Sequence, residues 1–259
     1  MRKSTRNILL LAVVVVALGV GINFELTREE KFLPTPLTSI DPVAAKSLDV
    51  RCAGCTTRRF EHRAKGWWML EPYPLRADDA AVSRLASVAI APVRKKLDAG
   101  AYDLAKLGLD PPRITMNIDD VRIEFGDEDP IEHDRYARVG ADVFRVPDRF
   151  GARLLESPET EIDRHVIDAD AVVVEVGIDG QPPRADLAAA WKNLIAAQMQ
   201  PAGDDSADSV SATIEFADGT KLQFSIHREN EQYVVRRGDI HLDYLVVESQ
   251  AQALLGKAN

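Results

Sequence analysis

One apolar run, Ile8 to Ile22, stands apart from the rest of the chain. A basic, polar tip (Met1 to Asn7) precedes it, and a charged stretch (Glu25 to Lys31) follows. Extended to Phe24, the run lies at the lower edge of the roughly 17–25 residues a spanning helix needs. Arg2, Lys3 and Arg6 sit only on its N-terminal side, so the positive-inside rule keeps that end cytoplasmic and exports the remainder. Ala17-Leu18-Gly19 has the small-x-small form of a signal-peptide cleavage site, so a cleaved leader competes with an uncleaved signal anchor. Apolar residues continue past that site and favour the anchor. Residues 1–24 are therefore expected to be a cytoplasmic tip and transmembrane anchor. Residues 25–39, with Pro34-Thr35-Pro36, are expected to be a juxtamembrane tether.

Further on, the pattern alternates between two periods. Leu48-Asp49-Val50 and Thr56 to Phe60 read as strands around a turn at Ala53-Gly54, and Trp67 to Leu70 reads as another. Asp78 is a good N-cap for a helix carrying Val82, Leu85, Val88 and Ala89 on one face, with Pro92 as its stop. Tyr102 to Leu107 reads as a short helix ending at Gly108. Four alternating segments then predict an antiparallel meander over 114–118, 121–125, 135–139 and 143–146, with a short closing helix over 150–155.

The second half follows the same order. A strand is predicted over 171–176, a helix capped by Asp186, a polar loop over 201–209, strands over 210–216, 221–226, 232–236 and 241–247, and a closing helix over 249–255. Arg76-Ala77-Asp78 and Arg184-Ala185-Asp186 both open a helix, and Tyr136 and Tyr233 both fall in the third meander strand. The expected fold is thus α+β: a duplicated unit of helix, four-stranded antiparallel meander and short helix, at 40–158 and 159–259. Tight turns such as Ala217-Asp218-Gly219 need no crossover, which excludes a doubly wound parallel sheet.

Composition adds limits. The 259 residues are 46% hydrophobic and 28% charged, ordinary for a folded protein. The net charge is -9, and every charge in residues 1–24 is basic, so the exported portion is more acidic still. Such a surface repels phosphate backbones, and nucleic acid is not an expected partner. The only cysteines, Cys52 and Cys55, have strand-like flanks. A thioredoxin-like pair needs a helix to begin at the first Cys, and a zinc site needs a second pair of ligands. A hairpin with the two facing across its turn, bonded or free, is the plainer reading. No P-loop, GxSxG, HExxH or dinucleotide fingerprint occurs. The five His are scattered, and the carboxylates over Asp127 to Asp134 read as a solvated loop. Asp204, Asp205 and Asp208 lack the Gly and terminal Glu of an EF-hand. No catalytic residue, metal ligand or cofactor is expected.

Several segments together resemble a known family. These are Trp68-Met69-Leu70-Glu71-Pro72, Ala77-Asp78, Leu107-Gly108-Leu109-Asp110-Pro111-Pro112, Tyr136-Ala137-Arg138 and Val143 to Val146. The chain resembles the bacterial domain of unknown function 4340 family from about Asp41 onward. Trp68, Pro72, Asp78, Gly108, Leu109, Asp110, Pro111, Pro112 and Tyr136 are the motif positions, and Gly-Leu-Asp-Pro-Pro is the most specific. The resemblance implies a protein anchored in the bacterial inner membrane through residues 8–24, single-pass, with its bulk in the periplasm. It also implies genes often placed beside gliding-type ABC transporter components, and it supplies no catalytic residues. The expected function is a non-enzymatic accessory or scaffold protein that binds another envelope or transporter protein. The alternatives are an envelope hydrolase with an unrecognised site, and a thiol-redox protein using Cys52 and Cys55.

Overall fold

The computed structural model describes residues 35–256, apart from 99 and 205. The expected anchor, and the tether up to residue 34, lie outside the described residues. No described helix is long and apolar enough to cross a membrane.

The chain opens with strands β1 (Ser47–Cys52), β2 (Arg58–Arg63), β3 (Gly66–Glu71) and β4 (Leu75–Arg76), then helix α1 (Asp79–Ala86) and β5 (Lys95–Leu97). The first meander is β6 (Ile114–Ile118), β7 (Val121–Glu128), β8 (Asp134–Val139) and β9 (Asp142–Pro147), closed by α2 (Gly151–Leu154). Next come β10 (Val173–Ile178), α3 (Ala188–Lys192) and β11 (Gln198–Pro201). The second meander is β12 (Val210–Phe216), β13 (Lys221–Glu229), β14 (Gln232–Arg237) and β15 (Leu242–Val246), closed by α4 (Glu248–Leu254).

Among the described residues these strands form two sheets, of order β4-β3-β2-β1-β6-β7-β8-β9-β5 and β10-β12-β13-β14-β15-β11. Each pairing is antiparallel. The mixed α+β class holds, with antiparallel sheets that carry more strands than the expected four-stranded meanders. With β2, β3 and β4 set aside, both sheets have one order. An opening strand (β1 or β10) lies beside the first meander strand, and a short edge strand (β5 or β11) lies beside the last. The edge strands are three and four residues long, too short for alternation to announce them.

Local chemistry explains the elements. In β6, Ile114, Met116 and Ile118 are buried while Thr115 and Asn117 are half-buried, the period-2 signature of a sheet with one covered face. At its end Asp119 turns left-handed (φ 48°), and its Oδ1 accepts the Lys46 and Ser47 N–H groups, each at 2.9 Å. Short polar side chains tolerate that conformation best after Gly, and here the carboxylate also pins β1 to β6. Asp78 caps α1 as expected, accepting from the Ala81 N–H at 2.8 Å. Asp186 does not cap: α3 is preceded by a 3₁₀ turn over Ala185–Leu187, and Arg184 draws the Asp186 carboxylate back at 2.6 Å. The tether expectation also fails at its end. Leu37 is buried, its N–H donates to Ala91 O at 2.9 Å, and the Thr38 hydroxyl donates to Ala89 O at 2.8 Å.

One continuous core runs under both sheets, from Leu37 to Leu254. A connecting segment stitches the sheets together. The Asp163 N–H donates to Arg76 O and the Asp78 N–H to Glu161 O, each at 2.9 Å. Three residues on, Val166 N–H donates to Leu194 O at 3.1 Å and Ala196 N–H to Arg164 O at 2.9 Å. The start of this segment is anchored inside the first half. Arg58 Nη1 lies 2.6 Å from Glu161 Oε1, and both side chains are 1% exposed. Burial pushes the Glu161 carboxyl up to about 7, with the Arg58 guanidinium pulling the other way. Nearby, the Tyr73 hydroxyl and the Ser157 hydroxyl both donate to the Glu159 carboxylate.

Candidate functional site

The connecting segment forms the back of a cleft of about 460 Å³ between the two halves. The first sheet contributes Trp68 from β3, and Leu75 and Arg76 from β4. The second contributes Phe216 from β12, Leu222 from β13, Arg237 from β14 and the turn residue Asp218. Strand alternation sets the Trp pair: Trp67 is buried, and Trp68 turns to the other side and is half-buried in the cleft wall. The Arg63 guanidinium lies 4.8 Å from the Trp68 ring centroid.

The back wall is held rigidly. Lys192 Nζ donates to the carbonyl oxygens of Asp168, Ala169 and Ala171 at 2.7, 2.7 and 2.6 Å. Lys65, in the β2–β3 turn, pairs with Asp170 at 2.8 Å and so ties the first sheet to the same loop. An ammonium group has three donors and no acceptor, so three converging carbonyls satisfy Lys192 completely.

The charges at the rim fall into two sets. Arg237 is held by Asp239 through two bonds of 3.0 and 3.1 Å. Arg76 lies 3.5 Å from Asp79 and 3.9 Å from Asp163. Asp163 also pairs with His165 Nδ1 at 2.6 Å. Asp168 and Asp218, by contrast, enter no ion pair among the described residues. Asp168 accepts the Asp170 N–H, and Asp218 accepts the Thr220 N–H and hydroxyl. The Thr220 bonds hold the Asp218 carboxyl below its usual range. The cleft is apolar in its interior and carries unmet negative charge at its edge.

Of the expected motif positions, only Trp68 lines this cleft. Pro72 follows a cis peptide bond, and Asp78 caps α1. Gly108 is left-handed (φ 66°) and ends a 3₁₀ turn; a Cβ there would lie 2.6 Å from the Asp127 carboxyl. Leu109 is fully buried in a small second core with Leu97, Leu107 and Val143. Asp110, Pro111 and Pro112 carry the chain back, with a cis bond at Asp110-Pro111 and a bridge between Leu109 and Pro112. The Tyr136 hydroxyl donates to Asp129 Oδ2 at 2.8 Å. The loop expected to be solvated is not wholly so. Asp129 accepts the Ile131 and Glu132 N–H groups, which lower its carboxyl to about 2, and Asp134 is fully buried against Arg94 at 2.8 Å.

Cys52 ends β1 and Cys55 lies in the turn before β2; their sulfurs are bonded, with Cα atoms 5.5 Å apart. Neither opens a helix. A smaller recess brings together His62, Asp79, Ser83 and Ser87. There the Asp79 carboxylate accepts the Trp67 N–H at 2.7 Å, and the Ser87 hydroxyl donates to Arg84 O at 2.6 Å. The cleft escaped the sequence reading because its walls come from residues about 150 apart, and Asp168 and Asp218 look like loop polarity until the halves are placed.

The first wall of the cleft and its back coincide with a family match. Residues 67–176 match the family model described as Domain of unknown function (DUF4340). Over that span the chain is similar to the DUF4340 family. The match runs from Trp67 in β3 to Val176 in β10, so it takes in Trp68, Arg76, Asp163, His165 and Asp168. Phe216, Asp218, Leu222 and Arg237 lie beyond the DUF4340 span. No curated protein and no solved structure matches the chain.

Proposed function

We propose that this protein is an extracytoplasmic accessory or scaffold module, held at the outer face of a bacterial inner membrane by residues 8–24, that binds another envelope or transporter protein. The observation that carries the binding reading is the cleft. It is concave, apolar inside, rigid at its back and charged at its rim, as recognition sites are. The tethering reading rests on the basic tip and apolar run, and the ABC transporter partner on the family resemblance alone. The common strand order supports descent of the two halves from one duplicated unit, with β2, β3 and β4 as an insertion in the first.

Two measurements test this. Alkaline phosphatase fused to the C-terminus is expected to be active, with the fusion retained in carbonate-washed membranes. An inactive fusion overturns the orientation. Hydrogen exchange over 163–172 and 216–222 is expected to be slower in native membranes than in the purified chain, and equal rates overturn binding at the cleft. A second reading, an envelope hydrolase, is favoured by the Asp163–His165 pair at the cleft, an orienter-and-base geometry. Ester or amide cleavage abolished by His165→Ala supports it.

A further inference from the structure

Three features adjoin at one place. The cleft interior is apolar through Trp68, Leu75, Val166, Phe216 and Leu222. Its rim carries Asp168 and Asp218 without an ionic partner among the described residues, while Arg76 and Arg237 face carboxylates of their own chain. Next to it runs β10, an edge of the six-stranded sheet. Val172, which lines the cleft just before β10, is 62% exposed, and Val174, at a register shift between Val173 and Glu175, is 47% exposed. The far half of this edge is taken, by the Val176–Arg184 bridge and by the Gln181 N–H donating to Ile178 O at 2.9 Å, and no strand covers the near half at Val173 and Val174 among the described residues.

An edge strand with exposed valines is a template for pairing, and folded proteins usually blunt such edges with charge, proline or a covering segment. Here the apolar surface continues from the edge into the cleft. A compact small molecule would fill the cleft and leave the valines bare, whereas an extended chain covers both. Main-chain pairing supplies affinity in that mode, and pockets for alternate side chains supply specificity. Charge then selects the sequence. The unmet carboxylates want a cation, and an acidic segment would meet Asp168 and Asp218 with like charge.

We propose that β10 and the cleft take an extended segment of a partner protein, with an apolar side chain in the cleft and a lysine or arginine beside Asp168 and Asp218. This rests on the binding reading above and gives the partner its chemistry.

The probe is the purified full-length chain titrated with acetyl-Lys-Leu-Thr-Val-Lys-amide, read by tryptophan emission. Trp68 is the half-buried reporter, since Trp67 and Trp191 are buried away from the ligand. The Lys peptide is expected to give a saturable change. Its Glu-for-Lys counterpart should bind about tenfold more weakly, as two exposed ion pairs turned repulsive imply. Asp168→Asn with Asp218→Asn should abolish that preference while circular dichroism stays unchanged. A proline in place of the central threonine should weaken binding if the backbone pairs. Equal binding of the Glu peptide, a preference that survives the double variant, or no saturable change with the Lys peptide overturns the proposal. In each of those cases slowed exchange at the cleft in membranes still stands for a partner of other chemistry, so the two readings fail separately.

Discussion

Arg58 holds the connecting segment in place, and its removal tests how the cleft is built. Its guanidinium is 1% exposed and reaches Glu161 Oε1 at 2.6 Å, Leu154 O at 2.5 Å and Arg153 O at 3.4 Å. Arg58→Met keeps most of the buried stem but strips the Glu161 carboxylate and two carbonyl oxygens of their donor. Breaking a buried pair from one side costs about 3–5 kcal/mol, because the remaining charge has no water to return to. Glu161 has an escape: its carboxyl already stands at about 7, so it takes up a proton, and the cost falls to the lower end of that range near neutral pH. Arg58→Met with Glu161→Leu removes both partners and should recover most of the loss. Urea unfolding of the full-length chain, followed by circular dichroism, gives the three free energies and their coupling. A loss below about 1 kcal/mol for Arg58→Met, or a double variant no better than the single, would show that the pair does not secure the segment.

Other outcomes follow from the same structure. Glu161 has a folded pKa above its unfolded value of 4.5, so its contribution is complete below about that pH and is lost as pH rises through about 7; a melting-temperature series should show wild type losing ground to Glu161→Gln across that window, and parallel curves would refute it. Gly108→Ala should cost roughly 1–3 kcal/mol, from a left-handed backbone and a methyl 2.6 Å from the Asp127 carboxyl, and an unchanged denaturation midpoint would contradict this. Replacing Cys52 and Cys55 by Ser should change the melting temperature little, since they are only three residues apart and a short loop releases little chain entropy compared with the roughly 3 kcal/mol of a 15-residue loop; a large loss would overturn the reading of this bond as a local hairpin link.

Much of the fold was legible because long, one-faced strands declare themselves. Ile114, Met116 and Ile118, or Ala212, Ile214 and Phe216, leave no other face to bury. Asp78 caps as read because Arg76, two residues back, turns to Asp79 and Asp163 instead, whereas Arg184 in the matching triplet takes the Asp186 carboxylate. Short elements were not legible. Lys95–Leu97 and Gln198–Pro201 become strands only because β9 and β15 offer unpaired edges, a tertiary cause that no local pattern records. The site was the least legible part. Trp68 was visible as an aromatic at a strand start, but nothing in the sequence marks Asp168, Asp218 and Leu222 as neighbours.

The central claim is that the cleft between the halves is where this protein holds another. A photo-crosslinking residue placed at Leu222 looks into the cleft, while one at Gln223 sits on the opposite face of the same strand. Irradiation of intact cells should give a discrete protein adduct from position 222 that Asp168→Asn with Asp218→Asn diminishes, and none from position 223. Equal adducts from both positions, or none from 222, would contradict the account.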